Sequence, residues 1–296
     1  MIIEATSRNG AGPLDQYLAD TIRQLGIPPR PAILERVAAE MQRDEPDFRS
    51  LARIISADVS IAGSLLKLVN SPFFGYRQKA RTVQDALSML GLSTISSAIA
   101  TIVLRNVLPP SPRLERFWDA SARVAQVSGW LVQQLGAEAG VQSEDAYTFS
   151  LFRDCGIPIM ARRFPSYFDT LARANADAEK QFTEVEDFRH PTNHALVGCL
   201  LGQSWWLPEN TCIAIRHHHD FVSLRAGGGA FSPAARRLIC LAQLAEKLLQ
   251  DETGLSSCLE WMKMGEACLE ILGVSPPEFE ELHRQARSVL NPEPAP

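Results

Sequence analysis

Three consecutive histidines are the residues of this chain whose types most directly suggest chemistry. They stand in the run Arg216-His217-His218-His219-Asp220, at the end of a segment with helical periodicity. Imidazole nitrogens are common ligands of divalent cations. Adjacent residues of an α-helix point about 100° apart, so at most two of the three could face one cation. Histidines at the C-terminal end of a helix also interact favourably with its last carbonyl groups, so the run alone leaves both interpretations open.

A cation site would need ligands from other helices, and the sequence offers two candidates. Asp154 lies in a predicted helix over residues 145–162, and His194 lies in the first turn of the next histidine-bearing helix. His190 precedes Pro191, and a residue before proline is biased away from helical geometry. His190 and His194 therefore do not form the pair on one helix face that an HxxxH motif provides.

The motifs of several common enzyme classes are absent from the sequence. There is no G-x-S-x-G elbow, no P-loop, no G-x-G-x-x-G and no H-E-x-x-H. Glu184 and Glu186 are two positions apart and would face different sides of a helix, which makes them a poor acid–base pair. Trp205 and Trp206 are expected to pack in the core and at a helix end rather than to form a stacking platform.

The composition is that of an ordinary globular chain. The 296 residues are 46% hydrophobic and 21% charged, which excludes a largely disordered protein. The net charge is −5, so generic nucleic-acid binding is not expected. No apolar stretch approaches the ~18 residues of a membrane span and no signal peptide is evident, so we expect a cytoplasmic protein without a membrane partner. Six single cysteines with no CxxC pair indicate reduced, mostly buried thiols.

Almost every segment with a clear hydrophobic period has helical spacing, so the predicted fold is all-α. Asp47 and Asp58 are candidate N-caps. The segment Thr82–Asp85 resembles a capping box, and Gly91 ends the helix that this box opens. Further helices are predicted over residues 93–103, 117–135, 145–162, 165–175, 193–206, 208–217, 233–250 and 276–290.

Three prolines between residues 108 and 112 interrupt the helical pattern. We interpret them as the boundary between an N-terminal helical subdomain, residues 13–112, and a second helical subdomain, residues 113–290. The remaining segments are predicted to be flexible, and they are residues 1–12, 225–230 and 291–296.

An aromatic turn follows the predicted helix that ends near residue 69. We favour a loop that packs over the core, and the functional alternative is a knob that binds a protein partner. The candidate residues of that partner surface are Asn70, Ser71, Phe73, Phe74 and Tyr76.

Two stretches of the N-terminal half resemble a known family. Residues 58–75, which read DVSIAGSLLKLVNSPFFG, closely resemble the signature of the HDOD domain, and residues 82–92 are similar to the Ala-x-x-x-Leu-Gly helix that follows it. The resemblance extends from Leu25 to Gln250. It implies an HD-like bundle of many helices with an N-terminal helical subdomain packed on it. HDOD proteins are a branch of the HD metal-dependent phosphohydrolase superfamily, and most are bacterial regulatory proteins that have lost the hydrolase site.

The resemblance also identifies the positions of a former metal site. Three of these positions carry residues that replace the superfamily's ligands, namely Ala120, Arg153 and Gln243. Four positions keep a ligand type, namely Asp154, His194, His218 and His219. The guanidinium of Arg153 would repel a cation and could instead pair with Asp154. Two metals are therefore not expected, and a single weakly bound divalent cation on the four kept residues is the most that we expect. The alternative is a hydrogen-bonded or ionic cluster in place of the metal.

The resemblance and the incomplete ligand set together predict a non-catalytic signal-transduction module. We expect no enzymatic activity and no required cofactor, and we expect its partners to be separate signalling proteins. Two alternatives stay open. One is a residual metal-dependent phosphohydrolase, and the other is a sensor that holds a nucleotide or another small ligand in the former active-site pocket.

Overall fold

The structure is a computed structural model that describes residues 22–70, 76, 78–107, 112–226, 231–254 and 258–290. Within these ranges the regular elements are helical, as the sequence predicts. The first six helices are α1 (Ala32–Met41), α2 (Phe48–Ser56), α3 (Val59–Val69), α4 (Val83–Leu90), α5 (Leu92–Val107) and α6 (Pro112–Leu135). The next five are α7 (Ser143–Phe152), α8 (Gly156–Arg163), α9 (Tyr167–Ala176), α10 (Phe182–Arg189) and α11 (His194–Ser204). The last five are α12 (Glu209–His217), α13 (Phe221–Ala226), α14 (Pro233–Thr253), α15 (Glu260–Leu272) and α16 (Pro276–Leu290).

Local capping explains where the N-terminal helices begin and end. The carboxylate of Asp58 accepts hydrogen bonds from the backbone N–H groups of Ser60 and Ile61 at the start of α3. Thr82 and Asp85 form the predicted capping box of α4. Gly91 ends α4 with φ 75° and ψ 166°, a backbone conformation that is almost restricted to glycine. These three sequence predictions are confirmed.

The predicted helix over residues 145–162 is two helices in the structure. α7 ends at Phe152 and α8 begins at Gly156, so Asp154 lies in a turn rather than on a helix. The turn brings Gly156 against α11 so closely that a Cβ atom on it would stand 2.0 Å from the carbonyl oxygen of His194. Glycine is therefore required where the two helices meet, and the break is part of the geometry that places Asp154 beside His194.

Other differences concern helices that the sequence analysis does not predict, which are α1, α10 and α15. Arg225 and Ala226, predicted as the beginning of a flexible loop, are the last residues of α13, and residues 227–230 lie outside the described residues. Trp205 is buried as predicted, whereas the side chain of Trp206 is 65% exposed and stacks under the guanidinium of Arg30.

The two predicted subdomains share one hydrophobic core in the described residues. Buried side chains from α1–α5 and from α6–α16 belong to the same cluster. Thr148 on α7 donates a hydrogen bond to Ser97 on α5 at 2.7 Å, and both hydroxyl groups are buried. The prolines at the proposed boundary lie partly outside the described residues, as do residues 1–12 and 291–296. The division at residue 112 stays a prediction.

The second half of the chain forms the bundle that positions the site. α6 packs against α7 and α14, and α11 packs against α8 and α12. α15 packs on α14, and α9 packs on α10. Five of the six cysteines are buried and all six are free thiols. Among the described helices, none combines the length and the apolar character needed to cross a membrane.

Candidate functional site

Four polar side chains from three segments of the bundle converge on one point. Asp154 comes from the turn between α7 and α8, His194 is the first residue of α11, and His218 and His219 follow α12. One potential ligand atom from each lies within 4.8 Å of all the others. Nε2 of His218 is 3.1 Å from Oδ1 of Asp154 and 3.2 Å from Nε2 of His194. Nε2 of His219 is 3.2 Å from Nε2 of His194.

Two adjacent histidines reach the same point because α12 ends immediately before them. His217 is the last residue of the helix and His218 is its C-cap, so the 100° rotation between helical neighbours does not apply to His219. The rings of His218 and His219 lie side by side with their centroids 4.0 Å apart. His217 points elsewhere and contacts the ring of Phe231.

The second nitrogen of each converging imidazole is held by an acceptor. Nδ1 of His194 lies 2.7 Å from a carboxylate oxygen of Glu186, and Nδ1 of His219 lies 2.7 Å from one of Glu260. Nδ1 of His218 lies 2.8 Å from the carbonyl oxygen of Ile215. An Nδ1–H that donates to such an acceptor fixes the ring and leaves Nε2 as the ligand atom. All three Nε2 atoms face the point of convergence.

A further layer of side chains supports the two carboxylates. The hydroxyl of Tyr167 donates to Glu186, and the ammonium of Lys263 donates to Glu260 at 2.7 Å. Burial alone would raise the pKa of Glu260, but His219 and Lys263 outweigh it and lower the pKa to about 2. Glu260 is therefore ionised at neutral pH. Glu186 is fully buried, and its pKa is lowered by His194 and Tyr167 in spite of that burial.

His194 and His219 have pKa values that are shifted in opposite directions. Burial disfavours the charged form of His194, but Glu186 and Asp154 outweigh burial and raise its pKa to about 10. Burial and the neighbouring His218 lower the pKa of His219 to about 4. A cation bound between these rings would therefore take the place of a proton on His194.

Arg153 occupies the other side of Asp154. Its Nε donates to Oδ2 of Asp154 at 3.0 Å, and its Nη2 lies 2.8 Å from a carboxylate oxygen of Glu246 on α14. Burial raises the pKa of Asp154, but Arg153, followed by the two histidines, lowers it well below the ordinary value. The side chain of Arg153 is only 8% exposed, and its Nη1 has no hydrogen-bond partner among the described residues.

The donor set fits one divalent cation. Oδ1 of Asp154 and Nε2 of His194, His218 and His219 would hold it, and a cation there would supply a Lewis acid and lower the pKa of bound water. Two cations bridged by Asp154 do not fit, because Oδ2 already accepts a hydrogen bond from Arg153. The guanidinium of Arg153 is a permanent positive charge where a second cation would have to lie.

A cavity of about 730 Å³ opens beside this cluster. Asp154 and His219 line it at one end, together with Arg153 and Glu246. Ala120 on α6 also lines it, so the position that the resemblance compares with a ligand histidine faces the same cavity as Asp154 and His219. The methyl group of Ala120 provides no ligand and leaves space in the cavity.

Gln243 and His190 are not among the four converging residues. Gln243 is buried on α14 and does not line the cavity, and Glu246, one turn later on the same helix, is the α14 residue that meets Arg153. His190 has extended backbone geometry, as its position before proline predicts, and its ring lies 2.9 Å from the hydroxyl of Thr170.

The N-terminal partner-surface candidates are only partly described. The amide of Asn70 forms two hydrogen bonds with the backbone of Ala80, both of 2.8 Å, so this side chain connects the C-terminal end of α3 to the residues that precede α4. Tyr76 is 36% exposed, and its hydroxyl donates to the carbonyl of Met89. Ser71, Phe73 and Phe74 lie outside the described residues.

Sequence reasoning missed the residues that support the ligands, which are Tyr167, Glu186, Glu246, Glu260 and Lys263. In the sequence, Glu186 stands out only as half of a pair with Glu184. Glu246 offered a usable signal, since it is a carboxylate directly after residues 238–245, which are apolar except for Gln243. Tyr167 lies on a helix that the sequence predicts, but nothing in the sequence marks its role, and Glu260 and Lys263 lie on α15, which the sequence analysis does not predict.

This chain is similar to known proteins in sequence and in fold. The family description "HDOD domain" matches residues 27–221. A protein of Treponema pallidum (strain Nichols) is 24% identical over 195 residues, which are 66% of this chain and 38% of that protein. This chain therefore spans well under half of the length of that relative.

Several solved structures share the fold. A candidate phosphohydrolase from Shewanella amazonensis SB2B is 19% identical with a TM-score of 0.63, and the match covers 90% of this chain and 97% of that chain. A candidate signal transduction protein from Marinobacter aquaeolei VT8 is 21% identical with a TM-score of 0.64, over 91% and 60% of the two chains. An HDOD domain protein from Geobacter sulfurreducens is 18% identical with a TM-score of 0.58, over 92% and 97%. The HDOD domain family matches most of this chain, and the chain has an HD-like all-α fold around an aspartate and three histidines. This chain therefore belongs to the HDOD domain family.

Proposed function

We propose that this HDOD protein is a regulatory module that does not hydrolyse phosphoesters and that acts by binding other signalling proteins. The observation that carries the proposal is the ion pair between Arg153 and Asp154. Two-metal hydrolysis needs a carboxylate that is free to bridge two cations, and here one oxygen of that carboxylate is committed to a guanidinium. Ala120 removes a further ligand type from the same pocket.

The ion pair is well supported, which argues against its opening to admit a second cation. Arg153 is held from both sides, by Asp154 at 3.0 Å and by Glu246 at 2.8 Å. All three side chains are at least four-fifths buried. Removing Arg153 from this position would leave two buried carboxylates facing each other, and such an arrangement is strongly unfavourable.

Action through protein partners is supported by apolar side chains on the surface of the second half of the chain. Phe188 on α10 is 90% exposed and Met262 on α15 is 71% exposed. Each lies on a helix that also carries a support for a cation ligand, since Glu186 holds His194 and Glu260 holds His219. A partner that binds these helices could therefore respond to the state of the histidine cluster.

A direct test is phosphoester turnover by chelator-treated protein that has been reloaded separately with Mn²⁺, Fe²⁺ or Mg²⁺. Substrates should include bis(p-nitrophenyl) phosphate and a panel of linear and cyclic nucleotides. The proposal predicts no turnover above that of Asp154→Ala and His194→Ala, prepared in the same way. Cation-dependent turnover that both substitutions abolish would establish the alternative, a residual phosphohydrolase. One observation favours that alternative. The Nδ1 atom of each of the three imidazoles lies within hydrogen-bond distance of an acceptor, which leaves Nε2 free to bind a cation.

Partner binding needs a separate experiment in the native cells. A tagged wild-type chain should be cross-linked next to Phe188→Ser and Met262→Ser, with the exposed, remote Val59→Ser as the matched control. The proposal predicts that specific protein adducts are lost in the first two variants and kept in the control. Adducts that are absent from all four proteins would contradict it.

A further inference from the structure

One residue between α11 and α12 combines a strained backbone with an exposed aromatic ring. Trp206 has φ 62°, and it is the only described residue other than glycine with a positive φ. Its backbone N–H donates to the carbonyl oxygen of Gln203, and the N–H of Leu207 donates to that of Gly202. These two hydrogen bonds form a Schellman motif that ends α11, and Trp206 stands where such a motif usually has glycine.

The fold does not require a tryptophan at this position. A residue with a Cβ atom is disfavoured at positive φ, and glycine would close the same motif without that cost. The neighbouring Trp205 is buried, and its Nε1 donates to the carbonyl oxygen of Pro28 at 3.2 Å, so Trp205 already provides the packing at this end of α11. Trp206 is 65% exposed. Strain of this kind is concentrated at functional sites, which directs attention to what the exposed ring contacts.

Arg30 lies on one face of the Trp206 ring. The central carbon of its guanidinium is 3.5 Å from the ring centre, and its Nη2 donates to the carbonyl oxygen of Leu34 at 3.1 Å. Its two other nitrogens, Nε and Nη1, are buried and have no hydrogen-bond partner among the described residues. A buried N–H without an acceptor is unfavourable, and a carboxylate is the acceptor that a guanidinium binds most strongly.

The segments that meet around Trp206 carry a local positive charge. Arg162 on α8 donates to the carbonyl oxygen of Gly26, which brings the end of α8 next to the segment that holds Arg30. Residues 26–36, 162–163 and 203–209 together contain four arginines and two carboxylates, although the whole chain has a net charge of −5. The four arginines are Arg30, Arg36, Arg162 and Arg163, and the carboxylates are Glu35 and Glu209.

We propose that Trp206, Arg30, Arg162 and Arg163 form a docking surface for an acidic amphipathic segment of a partner protein. Apolar side chains of that segment pack on the exposed indole, and its carboxylates pair with the two arginines of α8. When the indole turns onto the partner, it uncovers the guanidinium of Arg30, which then donates to a further carboxylate. Tryptophan and arginine are the residue types that most often anchor interfaces, and arginine clusters commonly recognise acidic motifs.

The charge of the whole chain makes an acidic probe a stringent one. A chain with a net charge of −5 repels an acidic peptide at long range, so its binding requires a local positive surface. Binding should weaken as salt is added, because ions screen exposed charge pairs. A peptide with the same carboxylates but without an apolar face should bind more weakly, since it buries none of the indole ring.

The test is a titration of two fluorescently labelled peptides of about four helical turns with the full chain, followed by anisotropy. One peptide has leucine on one helical face and glutamate on the other, and serine replaces leucine in the second. We expect the Glu/Leu peptide to bind with a Kd below about 1 mM and the Glu/Ser peptide to bind at least about tenfold more weakly. Trp206→Gly and Arg30→Gln should each weaken binding of the Glu/Leu peptide by at least about tenfold.

Thermal unfolding separates a binding role of Trp206 from a structural role. Glycine removes the strain of the positive φ, so the Tm of Trp206→Gly should be no lower than that of the wild type although the peptide is no longer bound. Trp206→Asn, which also tolerates this backbone conformation, should behave in the same way. The matched charge control is Arg284→Gln, which removes an exposed arginine of α16 and should leave peptide binding unchanged.

Three results would overturn the inference. They are absence of binding by the wild type, equal binding by the wild type, Trp206→Gly and Arg30→Gln, and a lowered Tm in both Trp206 variants. Each of them leaves the proposed function intact, because that proposal is supported by the Arg153–Asp154 ion pair and by other exposed side chains. Phe188→Ser and Met262→Ser should bind the Glu/Leu peptide as the wild type does, and loss of binding in these variants instead would place the peptide elsewhere and overturn the inference as well.

Discussion

Asp154 divides its two carboxylate oxygens between a guanidinium and the imidazoles, because Oδ2 accepts from Nε of the adjacent Arg153 at 3.0 Å while Oδ1 lies 3.1 Å from His218. Arg153 and Asp154 can point to the same place because both lie in the turn that separates α7 from α8. In the proposed function, this contact leaves only one oxygen of Asp154 available to a cation.

Substitution of the shared carboxylate should reduce stability. Asp154→Asn leaves the buried Arg153 with Glu246 alone, and the loss of a charged hydrogen bond should lower the free energy of unfolding by about 2 kcal/mol. Urea denaturation measures this. Asp169→Asn, at an exposed position of the same cavity, is the control and should change stability by less than about 0.5 kcal/mol. Equal effects of the two substitutions would contradict the role given to the ion pair.

The carboxylates behind the histidines should control cation affinity. Glu186→Gln weakens the acceptor at Nδ1 of His194, and loss of such a partner typically weakens metal binding by about 10–100-fold. Competition of Mn²⁺ with a chelating dye measures the affinity. Glu184→Gln changes an exposed carboxylate on the same helix and should have no effect. Unchanged affinity in Glu186→Gln would show that the cation, if bound, is not held by His194.

The three consecutive histidines should differ in function. His218→Asn and His219→Asn each remove a converging nitrogen and should weaken cation binding by at least about tenfold. His217→Asn should leave it unchanged, since the ring of His217 lies against Phe231. The same dye competition tests all three. If His217→Asn lost as much cation affinity as the two neighbouring variants, the end assigned to α12 would be wrong.

His190 should contribute to the pH dependence of stability and not to cation binding. Its pKa is lowered from 6.5, mainly by burial, against the opposing effect of Glu186 and with a further lowering by Arg189. Thr170, Phe164 and Tyr167 surround the ring. The unfolded chain therefore binds more protons than the folded chain below about pH 6.5, and the free energy of unfolding falls as the pH drops through that value.

His190→Gln should accordingly flatten the stability curve between about pH 7 and pH 5. Urea denaturation at several pH values, compared with wild type, measures the slope. The affinity of the His190→Gln variant for Mn²⁺ at neutral pH should equal that of the wild type, since His190 is not one of the four converging residues. A steeper curve than that of the wild type would mean that folding raises the pKa of His190 instead of lowering it.

The helix ends that depend on neighbouring residues can be predicted from the sequence. The caps at Asp58, Thr82 and Gly91 depend on neighbouring residues and were readable from the chain. The sequence carries a signal for the break at Arg153–Cys155 that the predicted helix over residues 145–162 overlooks, because Gly156 and Pro158 both interrupt that helix. The close approach of Gly156 to His194 is not readable from the chain, because the two residues are distant in sequence.

The candidate site shows the same division. The residue types of the cluster are readable from the sequence, and the sequence analysis names the pairing of Arg153 with Asp154 as one alternative. Glu246 and Glu260 become visible only once α14 and α15 have folded against the turn and the histidines. The sequence pointed to Gln243 rather than to Glu246 for the same reason, since the side of α14 that faces Arg153 depends on how the helix packs.

The most direct measurement is the number of cations that each folded chain binds. Chelator-treated protein should be saturated with Mn²⁺ or, under anaerobic conditions, Fe²⁺, passed through a desalting column and analysed for metal by mass spectrometry. The ion pair between Arg153 and Asp154 predicts no more than one cation per chain, and none retained in His194→Ala. Two cations per chain in the wild type would contradict the account.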